Sequence, residues 1–147
     1  MPELVIPPRI TPEIDQEYFE QITKAVFQAG FSYKVVQSKW DGFRKVFLNF
    51  DPQLIAEWGE DKIFAALESS LIIRNIRKIR ATVENARIFN EIVSQFGSFA
   101  EYLHSLRNLV YPEKNKEISK KFKWLGRTGT FVFLYCVNED VPSWDER

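Results

Sequence analysis

SSLIIRNIRKIRATVENARIFNEIV, residues 69–93, is the stretch that decides the fold. Its apolar residues recur at Ile72, Ile76, Ile79, Val83, Ala86, Phe89 and Val93. Steps of three and four place them on one stripe of an α-helix. Between them stand Arg74, Arg77, Lys78, Arg80 and Arg87, with Glu84 the only acid before Glu91. The predicted helix has an apolar back and a cationic face weighted to its first turns. Positive charge at a helix N-terminus runs against the helix dipole. It makes sense where an anion such as phosphate is to be held at that end. A solvated face on a core helix is the plainer reading of the same charges, because basic faces are common.

Working outward, the neighbouring stretches also read as short helices. Pro2, Pro7, Pro8 and Pro12 keep the start extended. Thr11 or Asp15 is positioned to cap a first helix carrying Tyr18, Phe19, Ile22, Ala25 and Val26, closed by Gly30. Ser32 caps a second helix that reaches Trp40, and Asp41-Gly42 marks a break or turn. Asp51-Pro52 is a helix start. Asp61 caps another helix, with Ile63, Phe64 and Leu67 facing inward. Phe96-Gly97-Ser98 ends the basic helix, Ser98 caps the next over residues 99–109, and Tyr111-Pro112 stops that one. PEKNKEISKKFK is a loop or a solvated helix start. The apolar run 130–137 fits a strand or a buried helix. With no partner strand in the chain, a buried helix is the expectation. The sum is an all-α, compact bundle of six to eight short helices in one domain of 147 residues.

Hydrophobic residues make up 45% and aromatics 15%, enough for a packed core, which argues against disorder. Lys plus Arg number 20 and so do Asp plus Glu, so net charge discriminates nothing. The distribution says more: the first twenty residues and the tail are acidic, while bases gather at 74–87 and 114–127. One cysteine, Cys136, excludes an internal disulfide, and with a single histidine, His104, a Cys/His zinc site is excluded too. Cys136 in an apolar run reads as an inert thiol, and His104 as a structural histidine. The start MPELVIPPRI lacks the basic opening and long apolar run of a secretion signal. The expectation is a cytoplasmic protein away from membranes, monomeric and without metal or cofactor.

Four separated stretches, in order, resemble the DNA-3-methyladenine glycosylase I family. Gln28-Ala29-Gly30-Phe31-Ser32-Tyr33 is similar to its Q-A-G-L-S-W segment. Asn49-Phe50-Asp51-Pro52, then Ile72-Ile73-Arg74-Asn75 with Lys78-Ile79 and Asn85-Ala86, resemble its F-D-P and G-I-I-R-N-x-x-K-I segments. Phe122 to Thr128 resembles its F-K-F-V-G-x-T turn, and Val137-Asn138 its V-N-D-H. The resemblance implies an all-α, helix-hairpin-helix fold that flips a damaged base out of double-stranded DNA. It implies a hairpin made of residues 61–68, the turn 69–73 and the helix that follows, with backbone N–H groups holding a phosphate. Ile73, Arg74, Asn75, Arg77, Lys78 and Thr128 become the candidate DNA contacts.

The departures bear on the base pocket. The family's base-reading Glu falls at Ala25, and its stacking Trp at Tyr33. Its zinc, which clips the two chain ends together, has no Cys or His ligands here; Asp140 stands for the last His. The candidate base-binding residues are Tyr33, Gln28, Ala25 and Trp40, and no catalytic residue is assigned. Trp40 fits plain core equally well. Glu20 and Gln28 are the polar groups available to replace the missing carboxylate. A 3- or 7-alkylated purine is cationic and leaves as a neutral base, so flipping it into an aromatic slot is sufficient chemistry. Three readings follow: an active base excision repair glycosylase for alkylated purines such as 3-methyladenine, a catalytically impaired relative that senses or shields lesions, and an unrelated module with a basic helix.

Overall fold

The computed structural model describes residues 6–147, so Pro2 lies outside the described residues. These residues form nine helices and no strand: α1 Asp15–Gln28, α2 Tyr33–Ser38, α3 Trp40–Val46, α4 Pro52–Ile55, α5 Glu60–Glu68, α6 Ile76–Phe96, α7 Phe99–Ser105, α8 Tyr111–Ser119 and α9 Arg127–Cys136. Short 3-10 turns follow α3 (Leu48–Phe50) and α9 (Trp144–Glu146). The count exceeds six to eight because residues 32–40 split between α2 and α3 and the polar run after Tyr111 folds as α8.

The expected apolar stripe is the centre of the molecule. Ile79, Val83, Ala86 and Phe89 of α6 are buried, and α1, α4, α5 and α7 all pack on this helix. Phe89 stacks on Phe99 at 4.6 Å and meets Phe19 edge-on at 5.4 Å. A fully buried Phe or Ile contributes about 1.5–3 kcal/mol, so this stripe sets the fold. The run 130–137 lies in α9, with Phe131, Phe133 and Leu134 buried between α1 and α8.

Helix starts follow the short polar residues. Ser32 Oγ accepts the Val35 N–H at 3.2 Å, Asp51 Oδ1 the Gln53 N–H at 3.0 Å, and Ser98 Oγ the Glu101 N–H at 3.1 Å. The basic helix begins later than its periodicity predicts, at Ile76 rather than at Ile72, the first residue of the apolar stripe. Asn75 Oδ1 takes the Lys78 N–H at 3.1 Å and Ser69 Oγ the Leu71 N–H at 3.1 Å, which holds residues 69–75 as a loop. Ile72 is nonetheless buried, because the loop folds inward.

Other expectations change for local reasons. Asp15 does not cap α1; its carboxylate accepts the Phe99 N–H at 2.8 Å and ties α1 to α7. Gly42 is no turn. It lies inside α3, where a Cβ would stand 2.4 Å from the Leu71 carbonyl oxygen, so glycine lets α3 rest directly on the 69–75 loop. Asp61 is not a cap, since Gly59 precedes α5 and makes no side-chain bond. Phe64 points outward, half exposed, under the Arg80 guanidinium. Tyr111-Pro112 starts α8 rather than stopping α7, with Pro in the first turn.

Direct hydrogen bonds join the segment around Arg9 to the end of α9. Arg9 Nε donates to Tyr135 O at 2.8 Å, Arg9 Nη2 donates to Glu139 O, and the Ile10 N–H donates to Cys136 O at 2.8 Å. The guanidinium also lies 4.6 Å from the Tyr135 ring centroid. A cation on the last carbonyls of a helix complements its dipole. These contacts join the two regions that the family resemblance links through zinc.

Candidate nucleic-acid interface

The cationic face resolves into residues with different tasks. Arg87 donates to Ala56 O at 2.9 Å and Trp58 O at 3.1 Å, bracing the turn after α4. Arg80 pairs with Glu60 of α5 at 2.5 Å. Lys78 is only 2% exposed, and its Nζ donates to the carbonyls of Phe27, at 3.3 Å, and Ala29 at the C-terminal end of α1. Burial lowers its pKa. Arg74 and Arg77 alone of the five stand exposed without a hydrogen-bond or ion-pair partner among the described residues. They flank the Asn75 cap, at the start of a 21-residue helix whose first turn holds no acid. Ile73 is half-buried beside them.

Lys78 links this helix start to two exposed aromatic rings. Phe31, 44% exposed, follows Gly30, whose φ of 85° turns the chain out of α1. Trp124, 48% exposed, sits at φ 58° in the loop before α9. The Lys78 ammonium lies 5.1 Å from the Phe31 ring and 6.0 Å from the Trp124 ring. Asn85 of α6 fixes the second loop. Its amide donates to Lys123 O at 3.0 Å and accepts the Lys123 N–H at 2.7 Å. Thr128, exposed in the first turn of α9, follows the same loop.

The second part of the site lies between α1, α2 and α9. Tyr33 opens α2, half-buried, and burial followed by the Cys136 thiol raises its phenol pKa. Lys24 of α1 places its Nζ 5.3 Å from the Tyr33 ring centroid and 5.2 Å from that of Trp40, and donates to Gln37 Oε1. Burial is the main cause lowering its pKa. Trp40 is 2% exposed and stacks on Phe43 and Phe50, each at 4.9 Å. Glu20 accepts the Trp40 indole N–H at 2.8 Å and pairs with Arg44 at 3.0 Å, so its carboxylate is engaged. Ala25 is buried in the core of α1, and Gln28 is that helix's last residue, half-buried. Cys136 is buried, its thiol pushed up to about 11.

No metal site fits. Among the described residues no group of three His, Cys, Asp or Glu side chains gathers, and the chain holds one Cys and one His. Two surface clefts lie away from Tyr33. One, of about 270 Å³, is lined by Trp58, Lys62 and Ser69 among others; one, of about 300 Å³, lies between Asp15, Asp51 and Asn90.

Residues 11–129 match the methyladenine glycosylase family. The chain belongs to this family. It is 34% identical to DNA-3-methyladenine glycosylase of Haemophilus influenzae over 143 aligned positions, covering 84% of this chain and 77% of that protein. It is 32% identical to DNA-3-methyladenine glycosylase 1 of Escherichia coli over 98 positions, 66% of this chain and 52% of that one. A crystal structure of 3-methyladenine DNA glycosylase I superposes with TM-score 0.76 at 26% identity, covering 87% of this chain and 81% of the other. The Staphylococcus aureus enzyme superposes at 0.78, with 22% identity over 87% and 78% of the two chains, a likeness of fold. The structure adds Phe31, Trp124 and Lys24 to this family member's candidate residues. An apolar ring after a glycine turn is a legible sign of exposure for Phe31. Lys24, inside an amphipathic helix, gives no such sign.

Proposed function

We propose that this protein is a DNA N-glycosylase of base excision repair that removes alkylated purines such as 3-methyladenine, acting as a single domain and as a monomer on damaged double-stranded DNA. The observation that carries this is the exposed Phe31–Trp124 pair set beside the partnerless Arg74 and Arg77 at the start of α6. In this reading α5, the 69–75 loop and α6 are the helix-hairpin-helix element. Free N–H groups and the two arginines take a DNA phosphate. The aromatic pair fills the gap that a flipped nucleotide leaves, as apolar wedges do between base steps.

Tyr33 follows Phe31 by two residues, so the wedge and the stacking ring share one turn. A flipped base enters the slot beside Tyr33, on the α1–α2 side. Its cationic ring leaves as a neutral base once the bond to C1′ breaks, and water adds to the sugar. The residues supply flipping, stacking and exclusion of water rather than a strong acid. No helix among the described residues is long and apolar enough to cross a membrane.

Incubation with methylated duplex DNA, followed by chromatography of the released bases, tests the assignment. Release of 3-methyladenine is the expected result. Ala25 in place of a carboxylate favours one second reading, a lesion binder without excision. It requires tight binding to the same DNA with no released base.

A further inference from the structure

We propose that Lys24 gives the pocket a second activity, excision of neutral purine lesions that carry an acceptor edge and must depart with negative charge. This rests on the glycosylase reading of the Tyr33 pocket. Lys24 precedes Ala25 on α1, and its ammonium occupies the aromatic faces of both Tyr33 and Trp40, within 5.3 Å and 5.2 Å of their centroids. Its one hydrogen bond runs to the Gln37 amide, a neutral acceptor on an exposed side chain. Among the described residues it forms no ion pair. Glu20, which acts on it only through space, is held by the Trp40 indole and by Arg44. The site therefore presents, beside its stacking ring, a cation to which no carboxylate is bonded.

That charge has opposite effects on two classes of base. A cationic alkylpurine brings its own positive charge to the ring face that Lys24 occupies, and the two repel. A neutral base, such as hypoxanthine, takes the bonding pair of the C1′–N9 bond as it leaves. Negative charge then spreads over its ring nitrogens and its carbonyl oxygen. An N–H donor already placed where charge develops is the arrangement that lowers such a barrier. Lys24 exchanges Gln37 Oε1 for the base's acceptor edge. The C1′–N9 bond breaks, water adds its oxygen to C1′, and the water's proton ends on the released base. No other reactant is needed.

The experiment compares two substrates across three proteins: wild type, Lys24→Met and Lys24→Arg. The substrates are a duplex with one deoxyinosine and a methylated duplex, with released hypoxanthine and 3-methyladenine separated by chromatography. Wild type releases hypoxanthine. Lys24→Met lowers that release about a hundredfold, the size of losing one charge-stabilising donor, and raises 3-methyladenine release. Lys24→Arg keeps part of the hypoxanthine activity. The ratio of the two products cancels any fraction of unfolded protein. Release of 3-methyladenine without hypoxanthine by wild type overturns the proposal and leaves the glycosylase reading standing. An equal fall in both products in Lys24→Met also overturns it, because Lys24 is then packing. Release of neither base by wild type removes both.

Discussion

Lys24, within α1, and Lys78, bonded to carbonyls at the end of α1, differ in what holds them. Each ammonium sits over aromatic rings, and burial lowers the pKa of each. Lys78 is closed in and bonded to two backbone carbonyls at a helix end. Lys24 is half-buried and bonded to one exposed side-chain amide. Backbone acceptors cannot leave, so Lys78 is fixed and structural. A surface glutamine can turn away, so Lys24 is free to change partner. The same residue type thus serves as a strut in one place and as a reagent in the other, decided by the acceptor rather than by the cation.

Lys78→Met tests the strut directly and carries the largest expected effect. It keeps the bulk but leaves the Phe27 and Ala29 carbonyls without their donor. The loss should be about 3 kcal/mol of unfolding free energy, the size of a buried charge-assisted network losing one partner. Lys24→Met should cost under about 1 kcal/mol, as a half-exposed residue with one replaceable bond. Urea denaturation of both variants measures the difference. Equal losses would erase the distinction between the two lysines.

Tyr33→Ala comes next. Tyr33 is only half-buried, so the fold should survive the change. Losing base stacking costs about 1–3 kcal/mol, so lesion binding or excision should fall roughly ten- to hundredfold, with undamaged duplex binding kept. A protein that unfolds on Tyr33→Ala and is fully rescued by Tyr33→Phe would make Tyr33 ordinary core. Arg74→Ala and Arg77→Ala should each lower the log–log salt slope of duplex binding by about one unit. Arg80→Ala and Arg87→Ala should leave that slope in place, because those guanidinia are held by Glu60 and by backbone carbonyls.

The split among these bases was not visible in the sequence. Periodicity located the α6 stripe because burial of Ile79, Val83 and Phe89 repeats with the helix, and that repeat is local. Ser32, Asp51 and Ser98 were legible as caps for the same reason: a cap bonds two or three residues away. Arg74, Lys78, Arg80 and Arg87 look alike along the chain. Their partners, Ala29, Glu60 and Ala56, lie 49, 20 and 31 residues distant for the last three, so only the folded chain separates them. Asp15 misled for that reason too, since its acceptor serves Phe99, 84 residues away. The family motifs point to Tyr33 and to a turn at 69–73, which the folded chain extends to residue 75. Lys24 replaces no motif residue, and its ring partners Tyr33 and Trp40 lie in later helices.

Arg9→Ala sharpens the comparison from the exposed side and should have a much smaller effect than Lys78→Met. Arg9 makes the same kind of contact as Lys78, a cation donating to carbonyls at and just beyond the end of a helix, here Tyr135 and Glu139. It differs in being open to solvent. Water can replace it at those carbonyls, so the substitution leaves nothing buried and unsatisfied. The expected cost is about 1 kcal/mol, the range for a cation at an exposed helix C-terminus, or roughly 3 °C in melting temperature for a domain of this size. Salt should shrink that difference, since exposed charges are screened, while leaving the Lys78→Met difference nearly constant. The Ile10–Cys136 backbone bond, at 2.8 Å, survives the change and holds the segment in register. A loss in Arg9→Ala as large as in Lys78→Met, and equally indifferent to salt, would mean that the acceptor alone sets the strength of these contacts and that burial adds nothing.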